Sequence, residues 1–375
     1  MRLLVATWNF PPRVGGAEAF ALGLCEALSA EHDVRILTGR PSELPASSHA
    51  TLERPPVPGF PAFAAWLPAA LTWHGLRHRP HAVVAVNAAV GALCRPFTAL
   101  LRLPQATAVL GSDLVWQRRG YRGVVRWGLR HTPLVVAISR ASAELALDAG
   151  APPEGTLVIP PGVDLDLDPD SSTTDLPAAT DRPVVLFVGR AVPRKGLAPF
   201  IEHALPRILD NVPAQLWVVG EEPKGSLVHA AGELARARDL ASGALRDSVR
   251  FLGGLSPEQL RGAYRRADVL VLPAIEAPGD VEGFGIVLIE AGLFGVPVVG
   301  TRVGGIPDAV VEGETGLLAP PGDWDAIAEW VVRVLCDREL AARLGEGGRR
   351  RASTQLSWRR IEQRWSEALQ DLISG

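Results

Sequence analysis

VRFLGGLSPEQLRGAYRRADVLVLPAIEAPGDVEGFGIVLIEAGLFGVPVVGT, running from Val249 to Thr301, holds three short apolar runs, Val249–Gly254, Val269–Ala274 and Val296–Thr301, with helix-compatible sequence between them. The runs are continuous and β-branched rather than alternating, which fits strands covered on both faces, as in a parallel sheet flanked by helices. Upstream the rhythm continues in Val184–Gly189 and Leu216–Gly220, and downstream in Gly316–Pro320. An earlier series has the same form: Leu3–Trp8, Val34–Gly39, Ala82–Asn87, Ala106–Gly111, Leu134–Ser139 and Thr156–Pro161. Between the two series lies Asp164–Arg182, rich in Asp, Ser, Thr and Pro. Two Rossmann-like α/β domains with parallel sheets facing a central cleft are therefore expected. The boundaries read as 1–165 together with 355–375, a linker at 166–182, and 183–354. Ile361, Trp365, Leu369 and Leu372 form one apolar stripe on a final helix that Ser357 could cap.

Composition narrows the function. With 47% hydrophobic residues the chain of 375 can bury sizeable cores, which excludes intrinsic disorder as its main state. Lys and Arg number 38 against 41 Asp and Glu, so the overall basic excess of a dedicated nucleic-acid binder is missing. Cys25, Cys94 and Cys336 are too few and too scattered for a disulfide framework or a zinc cage, which points to a reducing, cytoplasmic setting. The apolar run before Asn9 is too short for a secretory signal, and no stretch approaches the length that spans a bilayer. A soluble or membrane-peripheral protein is expected.

Ligands of open α/β sheets bind beyond the carboxyl ends of the strands, so the chemistry should lie there. After the first strand, Gly15 and Gly16 open a helix reaching about Ala30, where bare amides and the helix dipole suit a phosphate. The second half begins Val188-Gly189-Arg190 and continues Pro193-Arg194-Lys195-Gly196, placing Arg190 and Lys195 just after a strand. A planar fork and a mobile point charge suit a diphosphate and its departure as a leaving group. Glu282 and Glu290 flank seven residues, Glu282 in an open loop and Glu290 on the following helix, with Gly283 and Gly285 leaving the helix-start amides unobstructed. Carboxylates there can accept sugar hydroxyls while the amides bind phosphate or sugar oxygens. The structural alternatives stay open for each: a tight turn at Gly15-Gly16, a solvated basic loop, and solvated glutamates of which Glu282 serves the helix dipole. If Glu282 lies in an open loop, Glu282→Ala is expected to lose transfer and keep the fold.

The string from Phe251 to Asp323, with FLGGLS, ADVLVLP, EGFGIVLIEA, GVPVVGTRVGGIPD and GETGLLAPPGD, resembles the retaining GT-B glycosyltransferases of glycosyltransferase family 4. EGFGIVLIE is similar to the family's Glu-x7-Glu motif. GGAE, IPPGVD at Ile159–Asp164, and VGR with PRKG also resemble the family, in order along nearly the whole chain. APGDVE at Ala277–Glu282 resembles the longer loop of lipid-directed mannosyltransferases. The resemblance implies GT-B architecture, with a nucleotide-diphosphate hexose, UDP- or GDP-linked, held by residues 183–354 and a hydroxyl acceptor held by the N-terminal domain. It implies Arg190 and Lys195 on the donor diphosphate and Gly16 on its phosphate oxygens. Glu282 with the amides of Gly283, Phe284, Gly285 and Ile286 would hold sugar and phosphate, Glu290 the ribose, and Arg250, Phe251 and Leu252 the base through their backbone. Arg190, Lys195 and Glu282 are the candidate catalytic residues; no metal or other cofactor is expected. Without a carboxylate placed as nucleophile, front-face substitution is favoured.

Two departures stand out. Where the family carries His-Gly-x-Asp/Glu, this chain has Leu110-Gly111-Ser112-Asp113, which leaves Leu110 and Asp113 as acceptor-side candidates and puts sugar choice or turnover in question. Val219-Gly220-Glu221-Glu222-Pro223 replaces the more usual Gly-x-Gly. A catalytically weak nucleotide-sugar-binding or scaffolding protein, motivated by Leu110, is therefore one alternative and a nucleotide-sugar epimerase another, although the Glu-x7-Glu context argues against the epimerase. Finally, Arg118, Arg119, Arg122, Arg126 and Arg130 cluster with Trp116, Tyr121 and Trp127. With the aromatic stretch Phe60, Phe63, Trp66, Leu67, Leu71 and Trp73 they could rest on anionic lipid at the inner face of the membrane or hold a lipid-linked acceptor, the alternative being a solvated helix face over core aromatics.

Overall fold

Each of these apolar runs forms a strand in the computed structural model, which describes residues 1–39, 42, 44, 45, 48–164, 176, 181–222 and 232–375. The linker expected at 166–182 lies almost wholly outside the described residues, as do Pro223 and the side chain of Arg119. The chain divides into two units, Met1–Gly162 with Leu356–Gly375, and Val163–Gln355.

In the first unit the strands are β1 (Arg2–Thr7), β2 (Asp33–Thr38), β3 (Thr51–Glu53), β4 (Ala82–Val86), β5 (Gln105–Val109), β6 (Leu134–Ala137) and β7 (Thr156–Val158). They alternate with helices α1 (Gly16–Glu31), α2 (Phe60–Arg77), α3 (Ala88–Leu100), α4 (Arg119–His131) and α5 (Arg140–Asp148). The sheet runs β3-β2-β1-β4-β5-β6-β7, parallel throughout, with Leu4 opposite Arg35 and Val83. Three-residue β3 lies at the sheet edge, and its sequence, Thr-Leu-Glu, is too short and too polar to register as an apolar run. On one face Leu4, Ala6, Val83 and Ala85 pack against Phe63, Leu67 and Leu71 of α2. Of the two readings left open for the aromatic stretch, these three side chains follow the core one, because they recur at the four-residue spacing of a helix face.

In the second unit the strands are β8 (Val184–Val188), β9 (Gln215–Val219), β10 (Val249–Gly253), β11 (Val269–Leu272), β12 (Val298–Thr301) and β13 (Gly316–Ala319). Its helices are α6 (Leu197–Pro199), α7 (Leu205–Asn211), α8 (Glu233–Leu240), α9 (Pro257–Arg266), α10 (Ile286–Leu293), α11 (Ile306–Ala309), α12 (Trp324–Cys336) and α13 (Arg338–Thr354). The sheet order β10-β9-β8-β11-β12-β13, again all parallel, places Val185 opposite Leu216 and Val269. Val185, Phe187, Leu216 and Val271 pack with Leu197, Ile201 and Leu205 and with Ile327 and Val331 of α12.

The last helix, α14 (Trp358–Ser374), is capped by Ser357 and packs in the first unit, where Ile361, Trp365 and Leu369 are buried. Its dock is built from glycines: a Cβ on Gly23 would stand 2.2 Å, and one on Gly162 2.6 Å, from atoms of the Trp358 ring. Among the described residues no helix is long and apolar enough to cross a membrane. Both sheets share one consequence of their order. The first strand of each series sits between the second strand and a later one, β1 between β2 and β4 and β8 between β9 and β11, so the helices that follow leave on opposite faces and a crevice opens at the strand ends.

Candidate donor site at the β8 and β11 strand ends

Beyond β8 the chain passes Gly189 and Arg190, then makes a single 3-10 turn over Pro193–Lys195 that ends on Gly196 at φ 70°. A Cβ on Gly196 would stand 2.0 Å from the carbonyl oxygen of Pro273, at the end of β11, so only glycine allows this approach. The Ile275 N–H donates to the Arg194 carbonyl at 2.9 Å, joining the turn to the chain leaving β11. The stem of Lys195 lies against Gly189: a Cβ there would be 3.4 Å from Lys195 Cε.

The segment after β11 turns at Gly279 and brings Asp280 and Glu282 to that 3-10 turn. Lys195 Nζ lies 2.6 Å from Glu282 Oε2, the Arg194 guanidinium donates to the same oxygen through Nη1, and Arg194 Nε lies 2.9 Å from Asp280 Oδ2. Asp280 Oδ1 accepts the Val281 N–H at 2.9 Å. Arg194, Lys195 and Glu282 are each only 7% exposed, so Glu282 stands in a buried ion cluster and not in an open loop. The sequence places Glu282 among glycines, which reads as open; the two cations that enclose it come from 88 and 87 residues away.

Electrostatics follow from this burial. Loss of solvent alone would raise the Glu282 carboxyl, but Arg194 and Lys195 overturn that and hold it down at about 2. Burial lowers Lys195, with the nearby Arg194 and Arg190 adding to the effect while Glu282 opposes it. Burial likewise disfavours the Arg194 charge, and Glu282 and Asp280 more than restore it. Arg190, half-buried, therefore stands close enough to be felt at Lys195.

Glu290 sits on α10, its Oε2 accepting the hydroxyl of Tyr264 from α9 at 2.6 Å. Burial raises its pKa, against the Tyr264 hydrogen bond and the charge of Lys195. Lys195 thus acts on both glutamates of the spaced pair. Gly285, at φ 86°, caps α10, and the Leu288 N–H donates to its carbonyl at 2.9 Å. The amides of Ile286 and Val287 precede the first intrahelical acceptor and point out of the helix start. The loop after β12 closes on the other side. A Cβ on Gly304 would stand 2.2 Å from the Glu282 carbonyl oxygen and one on Gly305 2.0 Å from that of Gly283, while the Gly305 N–H donates to the Glu282 carbonyl at 2.8 Å.

Arg250, Phe251 and Leu252 lie on edge strand β10, two strands from β8 and so apart from the ion cluster; Arg250 is exposed, and the Phe251 ring is 4.5 Å from Arg238 Cζ. The strand ends form one rim nevertheless: Gly189 N–H donates to Val219, Ala191 N–H to Glu221 and Gly220 N–H to Gly253, at 2.8 to 3.0 Å. Gly220 has no space for a Cβ, which would stand 2.0 Å from the Gly189 carbonyl oxygen.

In the first unit Gly15 and exposed Gly16 begin α1, and at the corresponding sheet crevice Glu18 Oε1 accepts from Asn9 Nδ2 at 3.3 Å and Asn9 Oδ1 from Asn87 Nδ2 at 3.2 Å. Asn87 takes φ 99°, a strained value outside glycine, at the start of α3. Leu110 is buried. Asp113, also buried, accepts the Ala88 N–H on Oδ2 at 2.7 Å and the Leu110 N–H on Oδ1 at 2.9 Å; burial raises its pKa and these bonds oppose the rise. Sequence reasoning passed over Arg194, Asp280, Tyr264 and Asn87. The first two stand in the quoted PRKG and APGDVE, and their opposite charges were the available signal. Among the described residues no three His, Cys, Asp or Glu side chains group as a metal-ligand set.

Comparison with known proteins defines the class. Residues 14–167 match Glycosyltransferase Family 4 and residues 170–351 match Glycosyl transferases group 1. A GDP-mannose-dependent alpha-(1-6)-phosphatidylinositol monomannoside mannosyltransferase of Mycolicibacterium smegmatis is 31% identical over 389 aligned residues, covering 98% of each chain. A D-inositol 3-phosphate glycosyltransferase of Geodermatophilus obscurus is 38% identical over 237 residues, 60% of this chain and 50% of that one. Among solved structures, sucrose-phosphate synthase from Thermosynechococcus elongatus superposes with a TM-score of 0.82 at 25% identity, covering 100% of this chain and 99% of that one. Anabaena HepE in complex with UDP-glucose superposes with a TM-score of 0.79 at 22% identity over 99% of this chain and 100% of that one, a likeness of fold. The chain belongs to glycosyltransferase family 4, has the GT-B fold, and is a hexosyltransferase.

Proposed function

We propose that this enzyme transfers a hexose, with retention of the anomeric configuration and without a metal ion, from a GDP- or UDP-linked donor to a hydroxyl of a lipid-linked acceptor. The observation that carries the reading is Lys195, buried at the β8 strand end beside Arg190 and acting on both Glu282 and Glu290. Arg190, Lys195 and the first amides of α10 receive the donor diphosphate. Glu282 with Gly283, Phe284, Gly285 and Ile286 holds the sugar, Glu290 the ribose, and the rim at Arg250–Leu252 the base. In the front-face step the sugar C1–O bond to phosphate breaks, the acceptor oxygen bonds to C1 on the same face, and the departing phosphate oxygen takes the hydroxyl proton. Two cationic side chains and helix-start amides offset the charge that grows on the leaving group, the work a divalent ion does elsewhere. Asp113 orders the Leu110–Asp113 loop through backbone amides.

The lipid acceptor is supported by the Mycolicibacterium relative, whose name specifies a phosphatidylinositol monomannoside, and by the surface of the first unit. Helix α4 exposes Arg122, Arg126 and Arg130 with Trp127, and α2 and α3 expose Trp73 (58%), Leu76 (66%) and Leu100 (78%). Basic and apolar groups on one layer suit an anionic bilayer at the cytoplasmic face, at about 1 kcal/mol for each basic residue.

The test is incubation with GDP-mannose and UDP-glucose, first with EDTA and then with magnesium, on anionic and neutral vesicles carrying a phosphatidylinositol glycoside. Retention requires an α-anomeric proton coupling in the product from an α-linked donor. Donor binding without turnover on any acceptor would favour the scaffolding alternative motivated by Leu110.

A further inference from the structure

We propose that Arg194, pinned by Asp280, is a positioning residue that orients the Glu282 carboxylate toward the donor sugar; this rests on the donor-site reading above. Among the described residues every side-chain hydrogen bond and ion pair of Glu282 falls on Oε2, from Arg194 Nη1 and Lys195 Nζ. Oε1 is the oxygen left to accept a sugar hydroxyl. Lys195 alone cannot fix that choice, because an ammonium on four methylenes is a point charge that approaches either oxygen equally. Arg194 can, because its planar fork is itself fixed. Nε forms a buried ion contact with Asp280 Oδ2 at 2.9 Å, without the alignment of a hydrogen bond, and Asp280 is held by its own backbone through the Val281 N–H at 2.9 Å. The Arg194 carbonyl accepts from Ile275, and Gly196 seats the turn on Pro273. Backbone and side chain of Arg194 are thus both tied to the 273–282 segment that carries Glu282.

Arg194 also donates to Glu282, so the carboxylate keeps one fixed donor whatever Lys195 contacts. Arg194 acts through Glu282 and touches no substrate atom.

Asp280→Asn removes the pin and keeps the shape; Arg194→Lys keeps the charge and loses the fork. Both should be titrated calorimetrically with the nucleoside diphosphate alone and with its sugar conjugate, using GDP and GDP-mannose in parallel with UDP and UDP-glucose, on protein whose melt is two-sided and cooperative. Each variant is expected to weaken the sugar conjugate about tenfold while changing the diphosphate less than about twofold, and the double variant should be no worse than the poorer single one, as expected of residues acting as one unit. A merely structural role would weaken both ligands alike and leave the ratio unmoved, which overturns the proposal, as does an additive double variant. If the wild-type protein binds neither sugar conjugate, the donor-site reading falls, and the positioning role falls with it.

Discussion

Replacing Glu282 by glutamine keeps the size of the side chain and removes its charge, and the cost can be worked from the ion cluster. Arg194 and Lys195 hold the carboxyl at about 2 against an ordinary 4.5. At about 1.4 kcal/mol for each tenfold in proton affinity, the ionised form stabilises the second unit by about 3 kcal/mol, in line with about 3–5 kcal/mol for breaking a buried pair on one side. A unit of this size loses about 2–4 °C for each kcal/mol, so Glu282→Gln should melt about 6–12 °C lower at pH 7. The sign of the pH dependence follows from the depressed pKa. The stabilisation is complete above the unfolded value near 4.5 and is lost as pH falls toward 2. At pH 3 wild type should retain an advantage of only about 1.4 kcal/mol over the variant. Calorimetric melts of both proteins between pH 3 and pH 7 make the comparison. A variant that melts within 2 °C of wild type at pH 7, or a gap that does not narrow on acidification, would refute the reasoning and return Glu282 to a solvated loop, a 2 °C threshold being well under the roughly 6 °C expected.

Glu290→Gln should behave in the opposite way: burial raises that carboxyl, so removing its charge should not lower the melting temperature at neutral pH, while donor affinity should fall about tenfold through lost charged hydrogen bonds to ribose, measured by titration. Arg190→Ala should reduce turnover about 10²–10³-fold at saturating donor in a coupled diphosphate-release assay, as for loss of one charge-stabilising group. Gly305→Ala forces a Cβ to 2.0 Å from the Gly283 carbonyl oxygen and should cost at least about 3 kcal/mol by denaturant titration, whereas Gly123→Ala on exposed α4, with nothing within 4 Å, should add about 0.5–1 kcal/mol. Arg122→Glu with Arg126→Glu should abolish co-sedimentation with anionic vesicles and leave the soluble donor affinity unchanged.

The fold was legible because buried parallel strands must be continuously apolar, and runs such as Val184–Gly189 and Val269–Ala274 have no other economical reading. Residues 51–53 escaped because an edge strand is held by its backbone and needs no apolar pattern. The site was legible by position, since Arg190 and Lys195 follow a strand, Glu282 lies in the loop leading to a helix and Glu290 on that helix. Its burial was not. Whether Glu282 faces water depends on Arg194 and Lys195 meeting it across the sheet, a contact that periodicity does not encode. The same limit applies to α2: the aromatic stretch gave its apolarity, but only the helix phase separates buried Phe63 and Leu67 from exposed Trp73.

The ion cluster also explains how cations can wait in a buried site. Two buried cations at one strand end, Arg194 and Lys195, would repel each other and be expelled toward water unless balanced, and Asp280 and Glu282 supply that balance within hydrogen-bond distance. A diphosphate arriving on the proposed reading competes with Glu282 for Lys195. As Lys195 turns to phosphate, Glu282 loses one of its two donors and becomes a stronger acceptor for a sugar hydroxyl, but it stays in place only if the second donor is rigid. Arg194 meets that requirement because Asp280 holds it independently of the ligand. On that reading the carboxylate that stabilises the second unit is also the group that accepts the sugar hydroxyl, and its stability contribution and its proposed role draw on the same pair of contacts.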